Sequence, residues 1–192
     1  MFLVTPHTVG DVAFARMTRD AVLVGGGAWS PFVGHALPHD QVAEASLRTL
    51  MVAACQPHGA LTGLASLWVR GLHPHEPLGN LHVVVYRGSH LRAAAAPQGY
   101  IAYHSHSAAM RAAEPWGPLT LTSVPHALAD ALRFEALDQA MPTAYACLRR
   151  GHVSVSALRA AVGSHTAHLE GLERLRSAAD AVIVAARRPR RR

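Results

Sequence analysis

The segment 118–130, PLTLTSVPHALAD, constrains the chain more than any other stretch, because it must change secondary structure within a few residues. Leu119 and Leu121 alternate with Thr120, which places both leucines on one face of a strand. From Ser123 the apolar spacing becomes helical. Thr122 or Ser123 is the N-cap, and Pro125 falls in the first turn, where its missing N–H costs nothing. A strand therefore hands over directly to a helix, and a sheet must meet a helical layer at this point.

With 192 residues and half of them apolar, the chain can bury a proper core without a cofactor or a disulfide. Cys55 and Cys147 are too few for a disulfide framework and lack metal-ligand spacing, so both are expected to be reduced packing residues. The N-terminus lacks the basic and apolar segments of a signal peptide, and no window approaches the roughly 20 apolar residues of a membrane span. The expectation is a cytoplasmic protein with no membrane partner.

The formal charge of +6 is unevenly spread: without Arg187, Arg188, Arg190, Arg191 and Arg192 the body is nearly neutral. Every basic residue is Arg. The absence of lysine excludes a Walker lysine, a Schiff-base lysine and a lysine-dependent nuclease motif.

Taken in order, the chain predicts a short helix from Thr8 or Asp11 to about Arg19, then a strand Ala21–Val24 and a glycine turn at Gly25, Gly26 and Gly27. This pattern fits either the second half of a winged helix or an N-terminal helix and edge strand packed on the core. The second suits its short length. Helices are expected over 41–51 and 61–69, with Gly71 as the C′ residue of the latter. After a Pro-rich loop, strands are expected at 81–86, 100–104 and 119–123, pairing into one small sheet. The rest reads as helical: 125 to about 140, where Pro142 starts or kinks the next helix; 144–150, closed by Gly151; a helix capped by Ser154 or Ser156 and running through Val162; and 166 to about 186. The Arg tail reads as disordered. The fold class is therefore α+β, with a helical front, a central sheet of about three or more strands and a helical C-terminal half. The expected divisions are 1–35, 36–182 and the tail 183–192.

The histidines are the first candidates for chemistry. Residues two apart in a strand point the same way, so His104 and His106 could share a metal, as could His73 and His75 across the loop. No carboxylate or cysteine accompanies them at a familiar spacing, so exposed or core histidines with no metal are the default. The second candidate is Asp130, an acid inside an apolar run and one helical turn after His126, with Ser123 nearby. No nucleophile elbow marks Ser123, so Ser123, His126 and Asp130 are expected to be structural polar residues. The Arg tail would bind phosphates without sequence preference, or merely solubilise the chain end.

Several segments together resemble the AbiEi-type antitoxin and transcriptional-regulator family of actinobacteria. They are LTGLASLWVRGL at 61–72, LHVVVYRG at 81–88, GYIAYHSH at 99–106, GPLTLTSVPHALAD at 117–130 and ACLRRGHVSVSALRAAV at 146–162. The chain departs from the family pattern at His126 and Ala127, at Tyr145, and at Pro142, and its N-terminal winged helix is truncated, with Gly27, Ala28 and Trp29 at the wing. The resemblance implies a non-enzymatic, cofactor-free regulator that counteracts a cognate nucleotidyltransferase-type toxin and binds double-stranded promoter DNA. Arg16, Arg19 and the tail arginines are then the DNA candidates. Arg149 and Arg150 form a surface for a partner or phosphates, and Asp130 is structural. The competing readings are a metal-dependent hydrolase or degenerate nuclease using His73, His75, His104 and His106, and a protein-interaction module without DNA binding.

Overall fold

The computed structural model describes residues 7–8, 29–32, 35–38, 45–54, 58–75, 80–88, 101–165 and 171–188. Arg16, Arg19, Cys55 and Arg190 to Arg192 lie outside these, as do the expected 11–19 helix and the 21–24 strand. The fold is α+β with a helical C-terminal half.

Three short strands, β1 (His7–Thr8), β2 (Trp29–Phe32) and β3 (His35–Pro38), form an antiparallel sheet with β3 in the middle. Thr8, offered above as a possible helix start, is a strand residue, and the expected division at residue 35 falls inside the β2/β3 hairpin. Helix α1 (Ala45–Ala54) follows.

The central sheet has five strands, in the order β6 (Ile101–Ser105), β5 (Leu81–Val85), β4 (Ala60–Leu61), β8 (Leu119–Leu121), β7 (Glu114–Trp116). Strands β5 and β6 pair in parallel, as do β4 and β8, whereas β4 and β5 are antiparallel. A central sheet of three or more strands is as expected, but the direct pairing of the three expected strands is corrected: β5 and β8 are not neighbours, because the two-residue β4 lies between them. Such a strand carries no visible period. It exists because Ala60 and Leu61, both fully buried, complete the ladders of two longer neighbours. Leu61, which the 61–69 helix was expected to include, belongs to this strand, and helix α2 (Gly63–Val69) starts two residues later. Gly71 takes a left-handed φ of +74° just past the helix end, as a C′ glycine should.

Helix α3 (Ser107–Arg111) leads from β6 towards β7. The strand-to-helix corner then forms as the sequence predicts, with β8 passing through Thr122 and the N-cap Ser123 into α4 (Val124–Phe134). This helix ends at Glu135, short of the expected Ala140. Helix α5 (Leu137–Arg149) runs through Pro142 rather than starting there, with the proline on its exposed side. Helix α6 (Val155–Gly163) is capped by the Ser154 hydroxyl, which accepts from the Ala157 N–H at 3.1 Å. Helix α7 (Leu172–Arg187) is the last, so residues 183–187 are helical and not part of a disordered tail.

Two cores result. One lies on the sheet around Leu61, Trp68, Leu81, Val83 and Leu121. The other lies between the helices around Leu128, Leu132, Leu158, Leu175 and Val182, and buried Cys147 is part of it, as expected of a packing residue. Helix α4 is wrapped by α2, α5, α6 and α7, which explains why its apolar run is nearly continuous and why any polar group on it must find a partner inside the protein.

Candidate functional site: a sealed His–Asp–Thr cluster

The buried polar residue on α4 is Asp130, only 1% exposed. Its Oδ2 accepts a 2.6 Å hydrogen bond from the hydroxyl of Thr62, and Thr62 in turn accepts from the hydroxyl of Thr122 at 2.9 Å. Both threonines are fully buried. They sit at the ends of β4 and β8, where Thr122 N–H bonds Leu61 O at 3.0 Å, so the sheet itself aims this relay at the helix. Asp130 therefore anchors α4 to the sheet, an anchor expected of the residue type, with Thr62 as a partner that sequence spacing could not supply.

The other carboxylate oxygen faces two imidazoles. His165 Nε2 lies 3.6 Å and His106 Nδ1 4.0 Å from Oδ1, and the two rings are 4.3 Å apart. His106 precedes α3, Asp130 is on α4, and His165 follows the C-terminal end of α6. Burial holds His106 down to about 4 and His165 to about 3, so both are neutral at pH 7 and these contacts are not ion pairs. Burial pushes the Asp130 carboxyl up to about 7, against the pull of the Thr62 hydroxyl and of Arg133.

Ser123 and His126 do meet, Oγ to Nδ1 at 2.8 Å, whereas Asp130, one helical turn further on, turns to Thr62. The result is a Ser–His pair without the acid that would orient it, because Asp130 points instead to Thr62, His106 and His165. The metal quartet is corrected as well. His73 is buried against Thr143, Nδ1 to Oγ at 2.8 Å, with exposed His75 beside it. His104 bonds His82 across β5 and β6 at 2.8 Å, and both rings stack on Phe134. Among the described residues, His106 is the one of these four that joins a cluster with a carboxylate. His165 was missed entirely, since a lone histidine one residue past the C-cap Ser164 carries no spacing signal.

Arg149 and Arg150, at the end of α5, lie beside the end of α7. Arg149 Nη1 donates to the carbonyl of Ala186 at 3.2 Å, next to exposed Arg187 and Arg188. Through this contact the arginine-bearing C-terminal ends of two helices distant in sequence meet, where the backbone dipoles favour positive charge.

Acid should destabilise this protein. His73, His82 and His104 are each lowered to about 4, and with His106 and His165 they gain protons only on unfolding. Their contribution is complete above the unfolded value of about 6.5 and is lost as pH falls from there through 4. Asp130 and Glu135, both raised to about 7, act in the opposite sense over the same window but are outnumbered. We expect the melting temperature to fall steadily between pH 6.5 and 4.5. The fall should be shallower in His73→Asn, whose amide still donates to Thr143 but cannot ionise; an unchanged melting temperature over that range would contradict the burial of these rings as neutral groups.

No family model, curated protein or solved structure matches the chain. Among the described residues, no helix is long and apolar enough to cross a membrane.

Proposed function

We propose that the chain is a non-enzymatic regulator of the AbiEi antitoxin type, which counteracts a cognate nucleotidyltransferase-type toxin and binds its own promoter DNA. The observation that supports this best is the N-terminal antiparallel sheet. A β2/β3 hairpin carrying β1 on the far side of β3 is the strand arrangement a DNA-binding wing requires, and it precedes an α+β domain with the segment order that the resemblance implies. The arginines at these helix ends, Arg149, Arg150, Arg187 and Arg188, offer a place for phosphates or an acidic partner. The polar cluster suits a scaffold better than a catalyst, because Asp130 and His165 are sealed from solvent and Ser123–His126 lacks its acid.

Titration of labelled upstream promoter DNA against random DNA at two salt concentrations tests the reading. The promoter should bind more tightly, and both affinities should fall with salt. Replacing Arg149, Arg150, Arg187 and Arg188 should weaken both alike, lowering the salt slope by about 0.9 for each phosphate contact removed. Equal affinity for promoter and random DNA would reject sequence-specific regulation.

A further inference from the structure

We propose that His106, Asp130 and His165 form a binding site for a single divalent transition-metal ion of the zinc type, which staples three elements of the domain together. The inference does not depend on the regulator reading and can fail or stand without it.

The three candidate ligand atoms all lie within 4.8 Å of one another. A tetrahedral ion with bonds of about 2.0–2.1 Å needs ligands about 3.4 Å apart; the two distances to Asp130, 3.6 and 4.0 Å, are close to that, and the two imidazoles, within 4.8 Å of each other, must approach further on binding. Two imidazole nitrogens and one carboxylate oxygen make a borderline donor set that suits zinc and its neighbours rather than calcium or magnesium.

Two further observations point to a ligand. His106 Nδ1 and His165 Nε2 are both buried without a hydrogen-bond partner, on side chains exposed by only 10% and 0%, and both face Asp130 Oδ1. A buried polar atom left unpaired is costly, and an ion in the middle would satisfy both nitrogens at once. For two of the ligands, His106 and Asp130, the remaining polar atom is already held as an outer shell requires. Ser164 Oγ contacts His106 Nε2 at 3.2 Å, and Thr62 donates to Asp130 Oδ2. With the lone pair of Nδ1 left for the ion, His106 carries its proton on Nε2 and donates it to Ser164, whose own hydroxyl is turned to Ala161 O at 2.6 Å.

His165 sets the affinity. Arg133 Nη1 lies 3.2 Å from His165 Nδ1, and a guanidinium only donates, so without metal Nδ1 accepts and the imidazole proton sits on Nε2, facing Asp130. Uptake of the ion moves that proton to Nδ1, frees the Nε2 lone pair, and makes Arg133 give up the contact. A carboxyl proton, where Asp130 holds one, leaves to solvent. Arg133 is thus a positioning residue that opposes binding by its charge and by its hydrogen bond. Three protein ligands leave the fourth tetrahedral position to a water, and because Asp130 and His165 are sealed from bulk solvent no substrate reaches it, so the ion acts as a staple and not as a catalyst.

The test uses the full chain, stripped with a chelator and titrated with zinc. One equivalent should bind, and the melting temperature should rise with zinc concentration, as ligation of the folded state demands. His165→Gln should lose at least 10-fold in affinity. Arg133→Gln, whose amide oxygen can accept from Nδ1–H, should bind about 10-fold more tightly. Pulsed EPR of the wild-type protein loaded with copper(II) needs no variant, and should count two coordinated imidazoles and no thiolate. Absence of binding, fewer than two imidazoles, a thiolate ligand, or full zinc affinity in a folded His165→Gln protein would each overturn the proposal.

Discussion

Asp130→Ala is expected to lower the melting temperature of the chelator-treated protein by roughly 5–15 °C, with no change in any contact at the protein surface. The carboxyl is 1% exposed and accepts from Thr62, which accepts from Thr122, so its removal leaves a buried hydroxyl without an acceptor and a gap between α4 and the sheet. Loss of one partner of a buried hydrogen bond costs about 1–3 kcal/mol, the gap adds to it, and each kcal/mol moves the transition of a domain this size by about 2–4 °C. Asp130→Asn is the control. Its amide oxygen can still accept from Thr62, and it should retain most of the stability. The check is a thermal melt followed by circular dichroism, alongside binding to whatever partner is identified. A variant that melts like the wild type but no longer binds its partner would show that Asp130 is a recognition residue and not an anchor.

Gly59→Ala should be at least as damaging, for a reason that involves no polar chemistry. Gly59 has φ +147°, and a Cβ there would sit 2.5 Å from the carbonyl oxygen of Val84 and 2.8 Å from Val83 Cγ1. The first neighbour is backbone of the central sheet, one residue before Ala60 pairs with Val84, so it cannot yield without opening the β4/β5 ladder. A left-handed or otherwise Gly-only conformation costs on the order of 1–3 kcal/mol by itself, and a backbone overlap adds to it. We expect a loss of about 3 kcal/mol or more by urea unfolding, or accumulation in the insoluble fraction on expression. Gly88→Ala is the comparison, since Gly88 also has positive φ, +87°, but an added Cβ there meets nothing within 4 Å. Its cost should be confined to the backbone term. Equal losses at the two positions would show that the tight packing against β5 is not what requires glycine at 59.

Residues with a strong local signal were legible in sequence, and those whose role depends on distant partners were not. The corner at 119–130, the Ser154 cap, the C′ glycine at 71 and the strands 81–85 and 101–105 all follow from spacing and turn chemistry within a few residues. Strands β4 and β7 did not, because two or three residues show no period, and they are strands only through the ladders offered by neighbours. The break between α4 and α5 was missed for a similar reason. Leu132, Phe134 and Leu137 continue the apolar pattern, while the chain leaves the helix at Glu135, whose carboxylate accepts from the N–H of Leu64 at 2.5 Å and whose carbonyl accepts from Arg174.

By itself the sequence determined the α+β class, the hand-over from strand to helix at Ser123, and the burial of an acid at position 130, because periodicity and capping are local and an acid inside an apolar run faces protein wherever the helix packs. Only the tertiary structure decided what that acid meets. Thr62, His106 and His165 lie 68, 24 and 35 residues away in the chain and reach Asp130 because β4, β6 and the end of α6 converge on α4. The same convergence sends His126 to Ser123 and joins Arg149 to the end of the last helix. Residue spacing along a chain reports neighbours within one element, whereas a site built from four elements is set by how their faces pack.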